Sequence, residues 1–360
     1  MKLIGFYLFF SLMCFISSIS AQEMDFFEPK TTISGYGELH YNAVTPPAGN
    51  TTKTLDFHRF VLFFGHSWSE KWSFKSEVEL EHNFVRGGQG ELELEQAYIN
   101  YHHADYLGFQ VGVILPSVGL LNEYHEPPLF LSVERPDYAS SIIPTTWFGN
   151  GAAVYGTYKG FDYKVTVMEA LDADQFSASS GIRGGRKKGY LSDARHMLYN
   201  VRFDYLGVPG LRAGASYTYN NAISDSANTI GNNEIGLIEV HAKYEANNIY
   251  AVFEYGNISF GSGNIESAMG YYADLGYNFG NLLNIETAII PFIRYSDINN
   301  VSSSISGGNI EQQYHFTQIM FGLSIKPLPQ VVFKMDYSER TRELGDVKTK
   351  YFNIGAGYMF

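Results

Sequence analysis

The chain has 360 residues, 45% of them hydrophobic and 16% aromatic, with 25 basic against 37 acidic side chains and a net charge of −12. That acidic balance excludes a nucleic-acid partner and a polybasic membrane patch. The one cysteine, Cys14, excludes a disulfide framework.

Residues 1–21 form the first element. Lys2 precedes an apolar stretch over 3–16, and Ser17, Ser18, Ser20 and Ala21 supply small residues ahead of Gln22. The pattern predicts an export signal cut after Ala21, leaving a single domain over 22–360. An uncleaved anchor needs about 20 apolar residues, and this stretch is shorter. Lipidation at Cys14 is excluded by the bulky Met13 before it and by its place inside the apolar stretch.

Downstream, apolar and polar residues alternate with the period of two that marks a strand with two unlike faces. Sixteen strands are predicted, over 31–41, 54–66, 70–82, 92–101, 107–115, 149–158, 161–169, 195–205, 211–219, 233–244, 249–258, 269–279, 284–295, 314–325, 331–339 and 349–360. In the third, Trp72, Phe74, Val78 and Leu80 oppose Lys75, Glu77, Glu79 and Glu81. In the eighth, Met197, Tyr199, Val201, Phe203 and Tyr205 oppose Asn200, Arg202 and Asp204. The last ends on Phe360.

The connections separate a membrane barrel from a half-buried soluble sheet. After even-numbered strands they are tight, as at Lys159-Gly160 and 207–210; after odd-numbered strands they run to about nine to thirty residues, rich in Gly, Ser, Asn and Asp. Short periplasmic turns alternating with longer external loops are the asymmetry of outer-membrane barrels. An even number of antiparallel strands also closes without edges, as lipid requires of every backbone polar group. The fold class is therefore all-β, a transmembrane antiparallel barrel of about 16 strands, with the outer membrane as its location.

A barrel of that size encloses a water-filled channel, so inward side chains set permeability. The alternation places Arg59, Lys75, Glu77, Glu79, Arg202, Arg212, Lys243 and Arg294 on the lumen face, and also Glu286. Cations and carboxylates are nearly balanced there, so cross-strand pairing is expected. The longest connection, 116–148, is a candidate constriction folded inward, carrying Glu123, His125, Glu126, Glu134 and Arg135; a plain surface loop is the alternative. A basic run in the next long loop, Arg183, Arg186, Lys187 and Lys188 among glycines, is a candidate anion contact, with a solvated loop or lipopolysaccharide contact as alternatives.

Several stretches together resemble the Bacteroidota-type porins related to the phosphate-selective porin O and P family. They are Glu77-Val78-Glu79-Leu80-Glu81-His82, Glu93-Leu94-Glu95-Gln96-Ala97-Tyr98-Ile99, Gly112-Val113-Ile114-Leu115-Pro116, Asn122-Glu123-Tyr124-His125-Glu126-Pro127-Pro128, Val133-Glu134-Arg135-Pro136 and Ile142-Ile143-Pro144-Thr145-Thr146-Trp147. The resemblance implies a sixteen-stranded porin, often a homotrimer. Phosphate-selective members carry inward arginine and lysine arrays unmatched by carboxylates, and this chain departs from that pattern.

No HExxH, nucleophile elbow, Walker loop or dinucleotide fingerprint occurs, and the histidines lack ligand spacing. The sequence thus predicts no catalytic, cofactor-binding or metal-binding residues. It predicts a passive porin, not an enzyme, for small hydrophilic solutes or ions, anions among them, in contact with outer-membrane lipid and lipopolysaccharide. The competing readings are an adhesive or structural barrel and a barrel-borne hydrolase.

Overall fold

The computed structural model describes residues 27–360 apart from 88, 193, 223–233 and 262. The expected signal peptide, 1–21, lies outside the described residues.

Sixteen strands form one closed antiparallel barrel in which each strand pairs with its sequence neighbours and the first pairs with the last. They are β1 (Lys30–Thr45), β2 (Thr52–Ser67), β3 (Trp72–Glu81), β4 (Leu92–Ala104), β5 (Leu107–Ile114), β6 (Gly149–Tyr158), β7 (Phe161–Glu169) and β8 (Met197–Tyr205). The second half holds β9 (Leu211–Asn221), β10 (Glu234–Ala246), β11 (Ile249–Phe260), β12 (Ile265–Tyr277), β13 (Ala288–Ser304), β14 (His315–Leu328), β15 (Val331–Arg342) and β16 (Val347–Met359). The seam runs from Tyr36 opposite Met359 to Thr45 opposite Lys350. Beyond it, Phe360 exchanges backbone hydrogen bonds of 3.0 and 2.9 Å with Gly35. No edge is left for lipid to face.

The period of two survives in three dimensions. Leu62, Phe109, Phe203, Ile238, Phe253 and Phe333 are exposed on the outer wall, which is the apolar band a barrel presents to acyl chains. Aromatic pairs gather at the short-turn rim, with Trp72 against Tyr101 at 4.6 Å and Phe161 against Tyr205 at 5.0 Å. No described helix is long and apolar enough to cross a membrane.

Two details differ from the sequence-based expectation. The loops 46–51 and 343–346 are short, because β1, β2, β15 and β16 run on past the predicted ends, whereas the connection after β12, expected to be a tight turn, runs over 278–287. Glu286, expected on the lumen face, is exposed in the connection 278–287, since β13 begins only at Ala288.

The middle of the cylinder is not open water. The loop 115–148 enters the barrel, and the loop 170–196 packs on it from the outer end. Val118, Leu131, Ile142, Trp147, Leu171 and Ile182 form one apolar cluster with inward residues of β8 and β10–β14, among them Leu198, Leu237, Ile258, Phe292 and Ile298. Much of that half of the lumen is filled by apolar side chains. Buried apolar atoms contribute about 25 cal/mol per Å2, so the cluster fastens both loops to the wall.

Candidate functional site

The inward loop is anchored at many points along its length. Asn122 staples its two limbs: the amide nitrogen donates to the carbonyls of Pro116 (2.8 Å) and Trp147 (3.0 Å), and the side-chain oxygen accepts from the Trp147 backbone N–H (2.7 Å). Gly119 takes φ +66°, where a side chain would also meet Glu254 Oε2 at 2.8 Å. With no Cβ there, the Leu120 backbone N–H donates to that same oxygen at 2.9 Å and the Gly119 carbonyl accepts from Arg202 at 2.6 Å. Further along, Arg294 donates to Ser132 (2.7 Å) while holding Asp274 with two bonds of 2.6 Å. The Val133 N–H donates to Asp336 at 2.7 Å, and Arg340 reaches Asp137 at 2.6 Å.

Two cavities with no lining residue in common lie in the lumen among the described residues. The inner one, about 640 Å3 at the short-turn end, is bordered by Lys75, Glu77, Lys164, Arg202 and Arg212 of the wall and by Glu123, His125 and Glu126 of the loop. The outer one, about 430 Å3, is bordered by His40, His58, Arg59 and Arg294 of the wall and by Glu134 and Arg135 of the loop. Between them lies a buried polar septum. Its members are Tyr36 and Glu38 on β1, Arg59 on β2, Glu77 and Glu79 on β3, Glu95 on β4 and His125 on the loop.

The septum is held by ion pairs. Arg59 Nε lies 2.7 Å from Glu38 and its Nη1 lies 3.3 Å from Glu79. His40 sits between Glu38 (3.1 Å) and Glu134 (2.9 Å), and Glu134 also accepts from Asn42 at 2.9 Å. His125 Nε2 faces Glu77 at 3.3 Å and Glu95 at 3.4 Å.

Two bulges aim this machinery. In the β1–β2 ladder Glu38 pairs Arg59 and Leu39 pairs Phe57, so His58 is the extra residue and joins Arg59 at the outer cavity. In the β3–β4 ladder Glu77 pairs Gln96 and Val78 pairs Leu94, so Glu95 is extra and turns inward beside Glu77. An extra residue re-aims side chains that strict alternation would send elsewhere.

Each residue named from the sequence has a definite place. Arg59, Glu77, Glu79, Arg202 and Arg294 are buried on the lumen side, and Lys75 and Arg212 line the inner cavity. Lys243 lies 2.9 Å from Glu245 and over the Tyr250 ring. The five loop residues do not meet at one point. Glu123 pairs with Lys164 at 2.6 Å and Glu126 faces the inner cavity, whereas Glu134 and Arg135 face the outer one and His125 stands between.

The basic run is turned inward as well. Arg183 donates to the Thr145 carbonyl, and Arg186 to the carbonyls of Pro144 and Thr146. Lys187 pairs with Asp172 at 2.6 Å, and Lys188 with Glu91 and Glu93. Burial pulls Arg183 down to about 10 and lowers Arg186 too. The two arginines thus bind carbonyls of the inward loop, and the two lysines pair with carboxylates of their own loop and of the approach to β4.

Sequence reasoning missed Glu38, His40, His58 and Glu95 as lumen residues. The signal for Glu95 and His58 lay in a break of alternation, which reads as noise until pairing partners are known. It also missed the apolar half. There the cue was apolar residues on both faces of the later strands, as in Gly236-Leu237-Ile238 and Ile289-Ile290.

No protein-family model matches the chain. An uncharacterized protein of Aquifex aeolicus is 31% identical over 329 residues, spanning 85% of this chain and 74% of that one. Among solved structures, the chain is similar to Salmonella typhi OmpF in complex with daunomycin (TM-score 0.64, 13% identity, 92% of this chain and 98% of that one). It is similar also to the anion-selective porin of Comamonas acidovorans (0.60, 11%, 92% and 100%) and to OmpT of Vibrio cholerae in its trimer form (0.56, 11%, 93% and 100%). At these identities the likeness concerns the fold: a sixteen-stranded barrel of porin type.

Proposed function

Since the chain belongs to the same family as the uncharacterized Aquifex aeolicus protein and folds as a porin-type barrel, we propose that it is an outer-membrane porin with a narrow passage for small hydrophilic solutes and ions. The observation that carries this reading is the buried ionisable septum, which separates two polar cavities opening toward opposite ends of one lipid-facing cylinder. Transport is passive and the barrel performs no chemistry of its own. The septum sets selectivity, because field and size act most strongly where the path is narrowest.

Carboxylates outnumber arginines at that level: Glu38, Glu77, Glu79 and Glu95 face Arg59 and Arg135. The sign of this surplus favours cations at the narrow point, while Arg183 adds positive charge at the outer cavity. The anion passage expected from the basic run 183–188 is the competing outcome. The assembly is a homotrimer, by analogy with the Vibrio neighbour, seated among lipid and lipopolysaccharide.

Planar-bilayer recording tests the reading. Steady openings are expected, together with a reversal potential of cation sign across a salt gradient. Silence from folded protein in repeated reconstitutions would leave an adhesive or structural barrel as the better reading.

A further inference from the structure

Among the buried septum atoms that make no hydrogen bond outside their ion pairs, three stand together: Glu77 Oε1, Glu95 Oε2 and His125 Nε2. The residues are 0%, 1% and 2% exposed, and the three atoms lie within 4.8 Å of one another. Two carboxylates buried against one imidazole are costly unless something compensates their charge.

The separations are informative. A charge-assisted N–H···O bond measures about 2.7–2.9 Å, and Nε2 stands off at 3.3 and 3.4 Å from both oxygens. Two donors each about 2.1 Å from one ion, at a tetrahedral angle, lie about 3.4 Å apart. The gap is that of a shared ion.

The surroundings fit as well. His125 Nδ1 lies 3.2 Å from the Asn122 carbonyl oxygen, to which it donates, and Nε2 is the nitrogen aimed at the carboxylates. The other oxygen of Glu77 accepts from the Gln96 amide at 2.5 Å. Ligands oriented by partners of their own are the mark of a built metal site. Glu77 and His125 both border the inner cavity, which gives an ion a way in from the short-turn end. Two further sets at the outer cavity, His40/His58/Glu134 and Asp56/His58/His82, are weaker candidates. They compete for His58, whose two nitrogens already contact Asp56 (3.1 Å) and Arg59 (2.9 Å).

We propose that Glu77, Glu95 and His125 bind one divalent transition-metal ion of the zinc class, which ties the inward loop to β3 and β4. One nitrogen and two carboxylate oxygens suit such an ion, and the inner cavity leaves room for water as a fourth ligand. The set joins two strands and a loop that no motif spacing connects. The proposal departs from the expectation, drawn from histidine spacing, that the chain has no metal ligands.

The test uses the full barrel folded in detergent, stripped with chelator and titrated with Co2+, and with Zn2+ against a chromophoric chelator. Expected are one tightly held ion per chain and the visible absorption of Co2+ in a low-symmetry N/O site. His125→Gln and Glu95→Gln should each abolish that ion, and Gln96→Ala should weaken it by about 10–100-fold. His58→Gln, which dismantles both outer sets, should leave it in place. Heat-modifiable migration on gels confirms that each variant is folded, and Gln96→Ala serves if the ligand variants are not. The proposal is overturned if the stripped wild type takes up no ion, if His125→Gln keeps the full stoichiometry, or if only His58→Gln loses the ion. Conductance is read separately, so a silent barrel that binds the ion refutes the channel and not the site.

Discussion

The two halves of the lumen are built on opposite principles. Along β8 and β10–β14 the wall turns Leu198, Leu237, Ile258, Phe292 and Ile298 inward, and the two long loops bury apolar side chains against them. Along β1–β4 the wall turns Glu38, Arg59, Glu77, Glu79 and Glu95 inward, and the same loop answers with His125, Glu134 and Arg135. The first half holds the loop by contact area, supplemented by single polar contacts from Arg202, Glu254 and Arg294. The second holds it chiefly by ion pairs, which demand geometry.

The largest expected effect comes from removing the piece that joins the halves. Deleting 123–135 takes away His125, Glu134 and Arg135 and merges the cavities, so single-channel conductance should rise several-fold. Unchanged conductance would mean that current does not pass the septum.

On the apolar side, Trp147→Ala empties the site of a side chain that is 1% exposed. It should cost about 3–5 kcal/mol of stability, read as an earlier unfolding transition in detergent, with little dependence on pH. On the charged side, Arg59→Ala leaves Glu38 and Glu79 buried without their guanidinium partner, at a cost of about 3–5 kcal/mol. Here the deficit should narrow as pH falls, because protonated carboxyls need no counter-charge. If both variants respond to pH alike, the division into an apolar and an electrostatic half is wrong.

The smallest effect is expected from Lys187→Gln combined with Lys188→Gln. Their partners Asp172, Glu91 and Glu93 belong to loops and to the start of β4, away from the septum. The cation-to-anion permeability ratio should stay put; a marked change would return the basic run to the conduction path.

The strands were legible because each face of a membrane barrel meets a different solvent, and alternation records that directly. Arg202 and Arg294 could be assigned to the lumen from neighbours in sequence alone. The inward course of the loop was legible in its length and its density of charged residues. Glu95 and His58 were not, because a bulge is a property of two paired strands, and the break of alternation it leaves in one strand cannot be interpreted without the other. The metal candidate was hidden for the same reason: Glu77, Glu95 and His125 come from three segments whose closeness depends on register and on where the loop docks. For the basic run, composition cannot show that carbonyls at 144–146 lie within reach of Arg183 and Arg186.

Sequence by itself determined the closed antiparallel cylinder, its even strand number and its lipid-facing surface, because local alternation and turn length are properties of contiguous residues. Tertiary structure alone decided that apolar side chains of two loops fill much of one half of the cylinder, that a buried ionisable cluster crosses the other and which side chains meet there. Those outcomes depend on long-range packing and on single-residue offsets in register, where one extra residue exchanges the face a side chain sees.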